Sequence, residues 1–437
     1  MKNKKEHLMK SGQPCCPVKI VYTRLPLLPG AVTAKIDPEA DMDKKRLVLL
    51  LGLVLMLTGR LAAKNFNIGI DYNGYYSDNI FMNASAITDY VSQFHAGIDL
   101  SAKKFDFYLD ADGGIYKDNP EFNTFNIEPG VAFLHHLNGR NAVQVTFGYA
   151  VLNYKELFSD FNYHGPKFQA NLKIYTAGQF ILEGGYDFES RGYPNYDSFD
   201  FFNHKAFLEI SRFFKSQTTL RLEAGFNYRY YPHIVQNLDF GDDYNYFDNK
   251  KSQGKWMHKG PGPHSPSGTD QLIYDSMGIP NVYGTLSIVQ GIGPRVGITG
   301  EAELRKNFRG LDDADALIKN SYIIYPYNDD YLWDGTRFSL TVKIVLFKAL
   351  GVEGAVSYAD KNYPGVYVMD AEGNVVEPAV EREDSLLLYT LKLSKKIGKL
   401  DIFAGIRRRE NTSTDDYFHY DMLTISAGIG YYFQGLK

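Results

Sequence analysis

One pattern constrains this chain more than any other. From about residue 65 to the end, apolar and polar residues alternate, segment after segment. In Phe105-Asp-Phe-Tyr-Leu-Asp-Ala-Asp-Gly-Gly-Ile115, one face carries Phe105, Phe107, Leu109, Ala111 and Ile115. The other carries Asp106, Tyr108, Asp110 and Asp112. Stretches 143–151, 168–174, 220–228, 296–304 and 338–346 repeat the pattern. A period of two is the signature of a strand with two unlike faces, and no helix presents residues that way. The pattern predicts strands over 65–75, 91–101, 104–116, 123–134, 142–154, 166–175, 179–191, 202–213, 217–231, 280–290, 295–307, 336–347, 350–360, 385–395, 399–409 and 420–433. That is about sixteen, many of ten or more residues, whereas strands of soluble sandwiches average about five or six.

The connections alternate as well. Short turns fall at Ala102-Lys103, Leu137-Asn-Gly139, Thr176-Ala-Gly178, Phe214-Lys-Ser216, Gly291-Ile-Gly-Pro294, Lys348-Ala349 and Lys396-Ile-Gly398. Every connection between these is longer, the longest being 232–279. An up-and-down antiparallel barrel crossing a membrane has this rhythm, with short periplasmic turns and long extracellular loops. Most prolines lie in loops or at strand ends. Pro129 falls inside a strand and reads as the mark of a bulge.

The front of the chain differs. Leu47 to Leu57, "LVLLLGLVLML", is the one long apolar block. It follows Lys44-Lys-Arg46 and precedes Thr58-Gly-Arg-Leu-Ala-Ala63. A basic start, a short apolar core and small residues after it form a secretory signal peptide, here 42–63. The core is too short to span a bilayer. Met42 then reads as the true start and 1–41 as a mis-called or disordered extension. Both cysteines, Cys15 and Cys16, lie in that extension. A barrel domain over 64–437 would hold none, which suits an oxidising compartment. Removing 1–63 leaves 36 basic against 46 acidic residues, about −10. That balance excludes nucleic acid as a partner class.

The chain closes on Leu423-Thr-Ile-Ser-Ala-Gly-Ile-Gly-Tyr-Tyr-Phe433, followed by Gln434 to Lys437. Leu423, Ile425, Ala427, Ile429, Tyr431 and Phe433 share one row. Aromatics are 15% of the chain, and Tyr228, Tyr230, Tyr231, Phe201, Phe202, Phe213, Phe214, Tyr431 and Tyr432 gather at strand ends. Such clusters fit interfacial girdles. This ending resembles the C-terminal assembly signal of Gram-negative outer-membrane β-barrel proteins, with Tyr431 and Phe433 as its aromatics. The resemblance extends over the mature chain as pattern and points to no specific family. It implies residence in the cell outer membrane, contact with lipid and lipopolysaccharide, and recognition by barrel-assembly machinery. It leaves a homo-oligomer open.

If the apolar rows face lipid, the other rows face a lumen. Those rows carry Asp71, Asp99, Asp106, Asp110, Asp112, Glu128, Glu183, Asp187, Glu189, Glu209, Glu223, Glu301, Glu303, Glu353 and Asp401. They also carry Lys167, Lys173, Arg191, Lys205, Arg221, Arg229, Arg295, Arg305, Arg337, Lys343, Lys392 and Arg407. Charges are costly against lipid and tolerated in a wet lumen. The functional reading is a porin-like pore for passive diffusion of small polar solutes past a charged wall. The plainer reading is a wall of mutually paired charges that rigidifies the barrel. A non-transporting surface protein (adhesin, antigen or assembly component) fits the long loops equally. The Asp106, Asp110 and Asp112 row points weakly to cations or neutral solutes.

Motifs for other chemistry are sparse. Asp242-Asp243, Asp312-Asp313-Ala-Asp315 and Asp329-Asp330 lack calcium-loop spacing. His233, His258 and His264 are irregularly spaced for a metal. Gly291-Ile-Gly-Pro-Arg-Val-Gly297 lacks the Lys-Ser/Thr of a phosphate loop. A membrane-embedded hydrolase would need a nucleophile beside His95, the inward strand histidine, and no Gly-x-Ser-x-Gly elbow occurs. No enzyme, cofactor or metal is therefore expected. The processing reading has a direct check: N-terminal sequencing of the exported protein is expected to begin near residue 64, and a start upstream of residue 42 would contradict it.

Overall fold

A computed structural model of the chain describes residues 65–102, 104–176, 178–195, 197–235, 274–308, 333–347, 350–368 and 376–434. The expected extension, signal peptide and most of the 232–279 connection lie outside them, as do the acidic loop clusters, His258 and His264.

Sixteen strands form one closed antiparallel sheet. They are β1 (Asn65–Ser77), β2 (Asp89–Ala102), β3 (Phe105–Tyr116), β4 (Thr124–His136), β5 (Ala142–Tyr154), β6 (Tyr163–Tyr175), β7 (Phe180–Arg191) and β8 (Phe201–Phe213). Then follow β9 (Thr218–Val235), β10 (Tyr274–Ile292), β11 (Val296–Asn307), β12 (Asp334–Val345), β13 (Leu350–Tyr367), β14 (Glu381–Ile397), β15 (Leu400–Ser413) and β16 (Tyr420–Gln434). Each strand pairs with its neighbours in sequence, and β16 returns to β1 from Asn67↔Gln434 to Ser77↔Thr424. The closing strand is thus the seam of the barrel. No strand edge is left, as a hydrocarbon surrounding requires.

The alternation sorts the side chains. Ile70, Leu208, Leu222, Leu286, Leu340, Leu391, Ile425 and Tyr431 stand exposed on the outer face. The buried polar residues Asp71, Asn203, Asn227, Arg229, Asn281 and Glu303 belong to the opposite rows. An apolar exterior on a closed sheet with a charged interior is an outer-membrane β-barrel. The short turns turn tightly: Gly139, Gln179, Gln217, Gly293 and Gly398 all adopt positive φ.

Two expectations need correction. Pro129 marks a gap in the ladder, with no bulge: β4 and β5 pair at Ile127↔Val151 and again at Gly130↔Gly148 in unchanged register. Proline has no N–H to give β5, while its other side keeps register with Leu109 on β3. The aromatic cluster near β8 and β9 also splits by parity. Phe202, exposed, and Tyr228 and Tyr230, half-buried, lie on the outward row and stack with ring centroids 6.5 Å apart. Phe201 and Tyr231 occupy the other row and are buried inside.

Those inner aromatics belong to a collar under the long loops. Among the described residues four connections fold short 3-10 turns, Pro120–Phe122, Glu156–Phe161, Asp197–Phe199 and Asp416–Phe418. Each ends in a phenylalanine. Contacts run from Phe122 to Phe158 at 4.4 Å, to Phe161 at 5.9 Å, to Phe199 at 6.1 Å and to Tyr193 at 5.9 Å. They join the cluster around Ile80, Val91 and Phe122 to the one holding Trp333, Tyr363 and Val366. In the loop before β8, burial pushes the Asp200 carboxyl up, against the hydrogen bond it accepts from the Tyr193 N–H. Aromatic packing of this kind adds roughly 0.5–1.5 kcal/mol per pair beyond area burial.

The belt gives a paired test. Leu340→Arg, on the lipid row, is expected to cost about 2–4 kcal/mol in a folding titration into lipid, and Thr341→Arg, its lumen-facing neighbour, roughly nothing. Equal costs would contradict the assignment of faces.

Candidate functional site

The lumen wall is where this chain places its chemistry. Parity puts Asp106, Asp110, Asp112, Lys173, Glu183, Arg221, Glu223, Arg229, Glu301, Glu303, Arg305, Arg337, Lys343 and Arg407 on the inner rows. Arg295 falls in the turn between β10 and β11 and does not join them.

From β6 to β11 the inner charges are matched. The cations are Lys167, Lys173, Arg191, Lys205, Arg221, Arg229 and Arg305. The carboxylates are Glu183, Asp187, Glu189, Glu209, Glu223, Glu301 and Glu303. Glu183, Glu209 and Glu223 lie side by side in register on β7, β8 and β9. Like charges directly opposite repel, so each has a donor. Lys173 Nζ reaches Glu183 at 2.8 Å, Arg221 Nε reaches Glu209 at 3.2 Å, and Tyr283 Oη donates to Glu223 at 2.6 Å. Glu303 takes both Arg305, at 2.9 Å, and Arg337.

Higher in the lumen, on β7, β11 and β14, guanidiniums sit between an aromatic face and a carboxylate two residues away. Arg191 lies 4.4 Å over Tyr163 with Glu189 at 2.8 Å. Arg305 lies 4.6 Å over Trp333, above Glu303. Arg382 lies 4.2 Å over Tyr363 and donates to Asp384 at 3.0 Å. Arg229 stacks 4.2 Å over Phe201. Below them Asn227 donates to Asn281 at 2.8 Å, and Asn307 is the next partner in register. Arg229 and Arg305 therefore build the collar, stacked and buried away from open lumen water.

The remaining walls are different. On β1 to β4 the inner rows hold Asp71, Asp89, Asp99, Asp106, Asp110, Asp112 and Glu128, with no Lys or Arg. Asp89 is spent on the loop, accepting the N–H groups of Lys117, Asp118 and Asn119 at 3.0 Å each. His95 Nδ1 lies 2.7 Å from Asp112 and its Nε2 lies 3.7 Å from Asp110. Both ring nitrogens thus face carboxylates and neither faces a hydroxyl nucleophile. On β12 to β15 the signs reverse: Arg337, Lys343, Lys361, Arg382, Lys392, Lys396, Arg407 and Arg409 stand with Glu353, Asp384 and Asp401. The inner row of β16 between these walls is uncharged.

Exposure varies within each sector: in the paired one Lys173 and Arg221 keep 36% and 52% of their side-chain surface, and on the other walls Asp71, Lys361 and Asp384 are buried. Side chains of Glu183, Glu209 and Glu303 keep 17%, 14% and 5% of their surface. Asp110, Asp112, Arg337 and Lys343 keep 41%, 50%, 41% and 63%. Among the described residues no group of three or more His, Cys, Asp or Glu is arranged to hold a metal ion.

One bridge was hidden from the sequence. Lys167 on β6 and Glu128 on β4 meet at 2.7 Å across β5. The β5 residue in register with Lys167 is Gly148. A Cβ there would lie 2.6 Å from Tyr108 Oη and 3.1 Å from Glu128 Oε1. The missing side chain is what lets the ion pair span a strand.

No protein-family model matches the sequence, and no curated protein does. Among solved structures, the barrel is similar to Acinetobacter baumannii OccAB1, at 9% identity and TM-score 0.47 over 85% of this chain and 96% of that one. It is similar to a bacterial polysaccharide outer membrane secretin at 8% and 0.46, over 85% and 99%. The outer membrane protein opdK of Pseudomonas aeruginosa stands at 11% and 0.45, over 85% and 99%. Identities this low leave the functions of those proteins their own.

Gly148→Val is expected to lower stability by about 1–3 kcal/mol through overpacking and to split the Lys167–Glu128 pair, read as a lower urea midpoint. An unchanged midpoint would contradict the close approach.

Proposed function

We propose that this barrel is a porin-like channel through which small polar solutes diffuse passively, and that it is not an enzyme. The observation that carries the reading is the exposure of Asp110, Asp112, Arg337 and Lys343 on the inner rows. Each has an ion-pair partner, His95 for Asp110 and Asp112, Glu303 for Arg337 and Glu353 for Lys343, and charged groups that keep this much surface require water around them. A sixteen-stranded barrel is wide enough to hold that water, because side chains fill barrels of about eight strands and leave larger ones open. The aromatic collar fixes the loops at the rim, so the wall charges act from a rigid frame.

Selectivity in such a channel comes from bore and wall charge. The carboxylates of β3 favour cations over anions of equal size. The outer belt is bathed in lipid and lipopolysaccharide. We assign the last strand, with Tyr431 and Phe433 on its lipid row, to recognition by the barrel-assembly machinery. The carboxylates around His95 count against the hydrolase reading. The surface-protein reading differs from the channel in one observable, conductance.

Single-channel recording of the purified barrel in a planar bilayer is expected to show a steady open conductance with mild cation preference in the reversal potential. Inserted barrels that stay silent would contradict the channel and leave the surface role.

A further inference from the structure

Resting on the channel reading, we infer that His95 is a specificity-determining residue of the lumen. It acts as a counter-charge, present or absent with its proton, that sets how strongly the wall draws cations. His95 stands on the inner row of β2, in register with Asp71 on β1 and Asp112 on β3. Its Nδ1 lies 2.7 Å from Asp112 Oδ1 and its Nε2 lies 3.7 Å from Asp110 Oδ1. Asp99 follows on its own row, Tyr108 lies beyond Asp110 on β3, and Glu128 on β4 is in register with Asp110. Glu128 is taken by Lys167 at 2.7 Å.

The surroundings of the ring are shaped for this contact. Asp110 faces Gly97 in register. A Cβ at position 97 would lie 2.9 Å from Asp110 Oδ1 and 3.2 Å from His95 Nε2. The bare backbone there leaves the Asp110 carboxylate room to lean along β2 toward the ring. The imidazole thus has a carboxylate at each nitrogen. The ring is half-buried and the carboxylates keep more of their surface, so its proton exchanges with lumen water while the ring stays in place.

Histidine is the side chain that ordinarily changes charge between pH 5 and 8. Protonated, His95 carries an N–H at both nitrogens and offsets the charge of one neighbouring carboxylate. Neutral, it keeps the N–H at Nδ1, which Asp112 accepts, and turns a lone pair at Nε2 toward Asp110. The wall then carries one more negative charge. The inner rows of β1 to β4 hold no lysine or arginine to mask that change. Cation preference therefore rises as pH rises through the histidine range.

Reversal potentials of the full chain in a potassium chloride gradient, taken at about pH 5 and about pH 8, test this. The potassium-to-chloride permeability ratio is expected to rise about threefold between the two, the weight of one unit charge on a monovalent ion about 7 Å away through water. His95→Gln, which keeps a polar side chain but cannot gain the charge, should remove that rise and hold the ratio near the wild-type value at the higher pH. His95→Lys, charged throughout, should remove it and hold the ratio near the wild-type value at the lower pH. His136 and His233 also fall on inner rows by parity, at strand ends, so the decisive reading is the part of the rise that the two variants abolish. A wild-type ratio that does not change with pH, or variants that keep the wild-type rise, would overturn the inference and leave the channel standing. Inserted barrels silent at both pH values would overturn both.

Discussion

The structure depends on one requirement: every backbone N–H and C=O that enters hydrocarbon needs a partner in the protein. A sheet meets it only when its last strand finds its first. Here β16 does so over eleven residue pairs, Asn67↔Gln434 to Ser77↔Thr424. This gives the alternating segment at the chain end its meaning. Leu423, Ile425 and Ile429 must face lipid, and so Thr424, Ser426 and Gly428 must face in. Parity set at the seam passes from strand to strand through the register, and the placement of every wall charge follows from it.

Once parity is set, the wall charges take one of two routes. Between β6 and β11 they are close enough in register to neutralise each other, and burial makes that pairing obligatory, since removing one partner strands the other. Lys173–Glu183 and Arg305–Glu303 are of this kind. On β1 to β4 no cation shares the inner face, apart from Lys167 reaching Glu128 over Gly148. Of these carboxylates Asp110 and Asp112 keep 41% and 50% of their side-chain surface, while Asp71 and Asp89 are buried. A sector of cross-strand pairs and a sector of carboxylates around His95 thus coexist in one barrel.

Much of this was legible in the sequence. All sixteen strands follow from the period-two pattern, and the short turns fall where Gly139 and Gly398 supply left-handed backbone. Strand ends were less legible at the outer rim. β10 begins at Tyr274 and β13 runs to Tyr367, beyond the apolar alternation, because ladder hydrogen bonds continue above the belt where either face may be polar. The collar was not foreseen: Phe122, Phe199 and Phe418 sit in loops rich in polar residues. Two of the turns carry Asp two positions before the phenylalanine, Asp197-Ser-Phe199 and Asp416-Tyr-Phe418, a signal visible only afterwards. The inner charges were found by parity, and His95 with them. Their segregation into walls needed the closed strand order, since β1 and β15 are far apart in sequence and only β16 separates them in space.

The central claim is that one parity sees water inside the barrel and the other sees lipid. It is tested most directly by single cysteines at each position from Arg337 to Lys343 on β12, in a chain whose Cys15 and Cys16 are replaced by serine. A charged, membrane-impermeant thiol reagent applied to the reconstituted barrel should label 337, 339, 341 and 343 and spare 338, 340 and 342. Labelling of both parities alike, or of neither, would contradict the account.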